Sequence, residues 1–183
     1  KALETYDLWK QTYPRDPVPH INSGTLYSQR GETERAIQAY AKAIEIDPRY
    51  ARAHVNRAVV FIALERFEEA LAACGRAIEI DPRDSGAYLT RGHALRDLGR
   101  FEEALAEFDL ALKINPRYGF AHNNRGNVLR DLKRFEESLA ACDRAIEIDA
   151  RNALAHINRG NALRELGRME EALAACDRAI EID

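Results

Sequence analysis

The chain has 183 residues, 31% of them charged and 46% hydrophobic, with a formal net charge of −3. That composition fits a globular or helical protein of about one domain, and it lacks the excess of Lys and Arg that phosphate neutralisation requires, so no nucleic acid partner is expected. No apolar run reaches the roughly 18 residues of a membrane span, so no membrane partner is expected either.

The chain opens with Lys-Ala-Leu-Glu-Thr-Tyr-Asp-Leu-Trp, which carries two acids and no continuous apolar stretch, unlike a signal peptide. It has no initial Met, which suggests a segment cut from something longer. Tyr13-Pro14-Arg15-Asp16 closes this opening stretch and returns, at steps of 34, as Asp47-Pro48-Arg49-Tyr50, Asp81-Pro82-Arg83-Asp84, Asn115-Pro116-Arg117-Tyr118 and Asp149-Ala150-Arg151-Asn152. A fixed period of this length is the mark of stacked supersecondary units. Residues 1–16 then form the second half of a truncated unit, with a lone helix over 2–12. Five units follow at 17–50, 51–84, 85–118, 119–152 and 153–183, the last truncated at its end.

Each unit predicts two helices. In the third, Phe101, Ala104, Leu105, Phe108, Ala111 and Leu112 recur at i, i+3, i+4, i+7, i+10 and i+11, one stripe of a helix over 101–114. Glu102 and Glu103 sit in its first turn, where the macrodipole favours acids. The first half, 85–98, is anchored by Ala87, Leu95 and Leu98; Gly99 breaks the pair and Pro116 ends the second helix. Gly24, Gly92, Gly126 and Gly160 share one position inside the first helix, with Ala58 in the second unit. A helical glycine costs about 1 kcal/mol against alanine, so close approach of the paired helix is expected there.

The small and large positions Gly92, Leu95, Ala104, Phe108, Ala111 and Pro116, with their counterparts 34 residues away, resemble those of the tetratricopeptide repeat family over the whole chain. Ser138 stands where alanine is usual, Ala150 where proline is, and Leu95, Leu129 and Leu163 where tyrosine is. The resemblance implies an all-α α-solenoid of stacked antiparallel hairpins, about 11 helices in a right-handed superhelix whose first helices line a concave side. Ala2, Tyr6, Trp9 and Pro14 match the same phase, so residues 2–12 are expected to close the N-terminal face, whereas the C-terminal helix, lacking a polar cap, stays uncovered.

No catalytic constellation is visible. Paired glutamates such as Glu136-Glu137 recur at helix starts, a solvated and dipole-favoured role. His20, His54, His122 and His156 share one repeat position and are expected to pack in the first helix, since hairpins 34 residues apart do not converge on one metal ion. Cys74, Cys142 and Cys176 share a slot of the second helix and read as small core hydrophobes, with neither a disulfide framework nor a zinc site. The expectation is a cytoplasmic, non-enzymatic protein with no cofactor and no metal.

In the family, positions 2, 5, 6, 9, 12 and 13 of each unit commonly face the groove. The sixth holds Asn22, Asn56, Thr90, Asn124 and Asn158; the ninth includes His93, Asn127 and Asn161; the twelfth includes Arg96, Arg130 and Arg164. An amide offers two donors and an acceptor, enough to pair with both backbone groups of an extended peptide. The row resembles the asparagine ladder of the peptide O-linked N-acetylglucosamine transferases. Two readings stand: ligand contact, or a local network between hairpins inherited through duplication. The arginines are each followed by an acid, Asp97, Asp131 or Glu165, so they either grip a partner's carboxylates or pair among themselves. Arg57, Arg91, Arg125 and Arg159 read as structural, their guanidinium groups seeking acids such as Asp109, Asp143 or Asp177. Position five holds Ile21, Val55, Leu89, Asn123 and Ile157, with no lysine, which disfavours the family's carboxylate clamp.

The expected function is a protein-interaction scaffold holding an extended peptide or disordered segment in its groove, through Asn22, Asn56, Asn124, Asn158, Asn127, Asn161, His93, Arg96, Arg130 and Arg164. Self-assembly through ends or groove is one alternative. A regulatory segment of a larger enzyme is the other, since the opening stretch resembles arrays appended to bacterial protein kinases.

Overall fold

The computed structural model describes residues 1–182, and Asp183, the last residue of the fifth unit, lies outside them. Among the described residues every regular element is a helix, eleven in all: α1 Ala2–Thr12, α2 Val18–Gln29, α3 Thr33–Ile46, α4 Ala51–Ala63, α5 Phe67–Ile80, α6 Ser85–Asp97, α7 Phe101–Ile114, α8 Gly119–Asp131, α9 Phe135–Ile148, α10 Ala153–Glu165 and α11 Met169–Ile180. They are stacked in pairs, as in a tetratricopeptide solenoid. None is long and apolar enough to cross a membrane.

The chain divides into two compact units, Lys1–Ala94 and Leu95–Asp183. Within the first, α2 pairs with α3 and α4 with α5; α1 packs on α2, α3 on α4, and the first helices α2 and α4 also touch. Within the second, α8 pairs with α9 and α10 with α11; α7 packs on α8, α9 on α10, and α8 also touches α10.

The second helices form because they are rich in Ala, Leu and Glu, which cost little in a helix. Their apolar stripe is buried: in α7, Ala104, Leu105, Phe108 and Ala111. Between the two helices of each hairpin the chain passes through one left-handed residue, Gly31, Glu65, Gly99, Lys133 or Gly167. In the third hairpin the Gly99 N–H donates to the Arg96 carbonyl at 2.8 Å and the Arg100 N–H to the Leu95 carbonyl at 2.9 Å, the 6→1 closure that satisfies a helix's last acceptors. Between hairpins, Oδ1 of Asp47, Asp81, Asn115 or Asp149 accepts the N–H two residues on, at 2.9–3.2 Å. That side-chain turn explains why Ala150 replaces proline without disturbing the connection.

Leu129 and Leu163 are fully buried and Leu95 nearly so, filling the position where tyrosine is usual. Burying a leucine side chain contributes about 1.5–3 kcal/mol. Ser138 is buried, but its hydroxyl donates to the Gly126 carbonyl at 2.7 Å and carries no unmet polar cost. The glycines of the first helices do admit a close neighbour. A Cβ on Gly24 would lie 2.6 Å from the Tyr40 ring, and one on Gly126 2.8 Å from the Cys142 sulfur.

Two expectations are corrected. Helix α1 spans the residues read as helical, yet none of its side chains is buried; Tyr6 and Trp9 are half-covered against α2 instead of forming core. Cys176 is exposed, unlike Cys74 and Cys142, because among the described residues no further helix packs over the outer side of α11.

Candidate functional site

The first helices carry the candidate side chains, and in the first unit they form a cleft. Thr25, Ser28 and Gln29 from α2 meet Arg52, Asn56 and Val59 from α4 around a space of about 210 Å³, with Tyr40 of α3 at its floor. The Tyr40 hydroxyl donates to Thr25 Oγ1 at 3.2 Å. Burial raises the phenol's pKa, and hydrogen bonding, to Thr25 first and then Asn56, opposes the rise. Asn22 and His93 also belong to this unit and are half-buried.

In the second unit the asparagines take part in a local network. Asn124 Nδ2 donates to the Phe120 carbonyl at 2.7 Å, and its Oδ1 accepts from Arg96 at 3.4 Å. Asn158 Nδ2 donates across hairpins to Asn123 Oδ1 at 2.9 Å. Asn127 Oδ1 is buried without a hydrogen-bond partner, and Asn161 is half-buried. An amide has two N–H donors and a two-lone-pair acceptor, so these bonds orient the side chains without saturating them. The buried Asn123 was the unrecognised member; its signal was a lone polar residue at a position otherwise apolar in every unit.

The arginine row is internally neutralised. Arg96 binds Asp97 Oδ1 through Nε at 2.9 Å and a terminal nitrogen at 2.7 Å, Arg130 binds Asp131 at 2.9 Å, and Arg164 binds Glu165 at 3.2 Å. Pairs this exposed contribute little to stability, but they leave the face without net charge. Arg125 and Arg159, read as structural, bind Asp109 and Asp143 on the preceding hairpin, both through Nε at 2.7 Å.

The shared histidines have a role that the sequence did not reveal. Nε2 of His54, His122 and His156 lies 3.1, 3.0 and 3.1 Å from the carbonyls of Pro48, Pro116 and Ala150, in the turn just before each first helix. Where tyrosine replaces histidine, the Tyr88 hydroxyl donates to Pro82 O at 3.3 Å. The ring therefore pins the turn to the helix. No group of three or more His, Cys, Asp or Glu able to hold a metal occurs among the described residues.

What surrounds the amides is apolar and open to solvent. Phe120 is 62% exposed, Leu154 60%, Ile157 40% and Val59 49%. All four stand at positions 2, 5 or 9 of their units, on the same helices as the asparagines. Val59 belongs to the first unit, and Phe120, Leu154 and Ile157 to the second.

The chain is similar to known repeat proteins. A family model described as TPR repeat matches residues 24–64; models described as tetratricopeptide repeat match 89–153, and 51–84 with 153–183. No curated protein matches the chain in sequence. Among solved structures, the tetratricopeptide protein YrrB, described as having an unusual peptide-binding site, is 26% identical; the match covers 99% of this chain and 93% of that one, with a TM-score of 0.72. PilF of Pseudomonas aeruginosa is 24% identical over 91% of this chain and 76% of its own, with a TM-score of 0.84. In the Cut9–Hcn1 hetero-tetramer, the match covers 97% of this chain and 36% of that one, at 17% identity and a TM-score of 0.88. The last two speak for the fold alone.

Proposed function

The chain belongs to the tetratricopeptide repeat family, whose arrays are typically non-catalytic scaffolds for protein–protein interaction, and we propose that this one holds an extended peptide segment on the face of its first helices. The observation that carries the reading is the exposure, in the second unit, of Phe120, Leu154 and Ile157 on the helices that carry the oriented Asn124 and Asn158. Apolar side chains supply affinity through buried area, while unspent amide groups pair with a peptide backbone: Asn124, Asn158, Asn161 and the Asn127 N–H groups in the second unit, and Asn22 and Asn56 in the first. The internal pairing of Arg96, Arg130 and Arg164 makes them a rim that orients the partner, with His93 a further contact. YrrB, of similar length and fold, has a peptide-binding site, which supports the same use here.

The test is capture of interacting segments from a peptide library by the intact chain, followed by the double variant Phe120→Ser, Leu154→Ser. Both side chains are already exposed, so helicity is expected to hold. Losing about 1.5–3 kcal/mol per apolar anchor predicts at least a tenfold weaker affinity. Unchanged affinity in the double variant would remove this face from the account. Asn158→Ala is a poor probe, because it also strands the buried Asn123 carbonyl oxygen.

A second reading, self-assembly, is favoured by α11. Met169, Leu173, Cys176 and Ile180 fall at i, i+4, i+7 and i+11 on one exposed stripe. Light scattering across a concentration series separates the two, since peptide capture by a strict monomer leaves only the first.

A further inference from the structure

Each unit has a cleft where first-helix and second-helix side chains meet, and the two are not filled alike. In the second unit Asp143, Ile146, His156, Arg159, Ala175 and Arg178 are among the residues lining one of about 370 Å³, and the Asp143 carboxylate, delivered from α9, binds Arg159 Nε at 2.7 Å. The Asp109–Arg125 pair has the same spacing of 16 residues and the same distance. The corresponding cleft in the first unit, about 260 Å³, is lined by Arg57, Phe61, Glu69, Ala72, Ala73 and Arg76. Sixteen residues before Arg57 stands Ala41, with no carboxylate to offer (57 − 41 = 16).

Arg57 accordingly makes no ion pair or hydrogen bond among the described residues, and its Nε is buried without a partner. Its guanidinium carbon lies 5.7 Å from the centre of the Phe61 ring, a placement that holds the group in position over an apolar floor. The other charges at the cleft do not satisfy it. Both oxygens of Glu69 are taken by Arg66, each at 2.5 Å, and Arg76 is paired with Glu79. The Glu69 charge is felt at Arg57 and opposes the lowering that burial imposes on the guanidinium, but Glu69 forms no bond to it.

We propose that the cleft around Arg57 docks an aspartate or glutamate side chain of an acidic peptide partner, in the place that Asp143 fills for Arg159. The chain itself displays the occupant, because the equivalent arginine in two other hairpins is met by a carboxylate in the same geometry. Glu69 at the rim disfavours the larger charge of a phosphate. This docking site is separate from the face of the first helices and does not depend on it.

The decisive variant is Ala41→Asp, which restores the internal carboxylate while leaving Arg57 in place. Asp occupies the counterpart position in three hairpins (Asp109, Asp143 and Asp177), so the variant is expected to fold with no loss of thermal stability. The readout is the Arg57 Nε–H resonance of the intact chain, titrated with an N-acetylated tetraglutamate peptide amide. In the parent chain the resonance shifts and saturates. In Ala41→Asp it starts displaced, and the peptide binds at least tenfold more weakly; Arg57→Gln, followed through neighbouring backbone amides, loses the same binding with circular dichroism unchanged. The proposal is overturned if the peptide leaves the parent resonance unmoved, if either variant binds as the parent does, or if inorganic phosphate binds as tightly as the peptide.

Discussion

Gly24 in the first unit and Gly126 in the second occupy the same slot of a first helix, yet different side chains press on them. Over Gly24 lies the buried Tyr40 ring, three of whose carbons would stand 2.6, 2.8 and 2.9 Å from an added Cβ. Over Gly126 lies the Cys142 sulfur at 2.8 Å, with the Ser138 carbonyl at 3.2 Å. In the remaining hairpin of the first unit the slot holds Ala58 in the same core cluster as Cys74. The repeat therefore fixes a close contact at this slot without fixing either of the residues that make it. What one hairpin assigns to a tyrosine over glycine, another divides between alanine and cysteine.

The contrast is broken most directly by Gly24→Ala. The Tyr40 ring is almost fully buried and held through its hydroxyl, so it has little room to turn aside. Overpacking of this kind costs about 1–3 kcal/mol, against a gain of about 1 kcal/mol from removing a helical glycine. Gly24→Ala is expected to destabilise by up to about 2 kcal/mol by that difference, and Gly126→Ala by less, because the alanine–cysteine pair is already accommodated at Ala58 and Cys74. Urea denaturation of both variants checks the order. If Gly126→Ala proved the more damaging, the buried Tyr40 ring would not be the tighter of the two neighbours.

A smaller effect is expected at the hairpin turns. Glu65 and Lys133 hold φ of 57° and 60°, whereas the equivalent Gly31, Gly99 and Gly167 lie at 73–74°. The left-handed region costs a residue with a Cβ about 1–2 kcal/mol, part of which glycine's greater unfolded-state entropy returns. Glu65→Gly and Lys133→Gly should each stabilise by about 0.5–1 kcal/mol, and Gly99→Ala should do the reverse by a similar amount. A shift of the unfolding midpoint in the same direction for all three would contradict this.

These comparisons also show what a single sequence carries. The period of 34 and the helical stripes place the hairpins, because burying an apolar face is a local requirement that every unit must meet. Tyr6 and Trp9 sit in the right phase but stay half-covered, since phase says which way a side chain faces and not what arrives to cover it. The histidine row was visible as a row, whereas its bond to the preceding turn depends on backbone carbonyls, which have no letter in the sequence. The amide row was legible for the same reason as the stripes. The bond from Asn158 to Asn123 was not, because it is set by the distance between hairpins. The empty partner of Arg57 was legible in principle: Ala41, Gly75, Asp109 and Asp143 are one column, and only the structure says which arginine each one faces.

The smallest perturbation concerns the cysteine slot and leaves stability aside. Cys142 is buried beside Asp143, and burial first, then that charge, pushes its thiol up to about 12. A thiol reacts through its thiolate, so near pH 8 only a minute fraction of Cys142 is competent, and reagent access is closed as well. Cys74 is buried in the same slot, but Cys176 is exposed on α11. A disulfide reagent added to the native chain is expected to release one equivalent rapidly from Cys176 and the other two only on denaturation, at rates separated by at least about a hundredfold. Cys176→Ser should abolish the fast phase without moving the unfolding midpoint. Three equivalents released together from native protein would mean that the second-helix slot is open in every hairpin, and the difference drawn between α9 and α11 would fall with it.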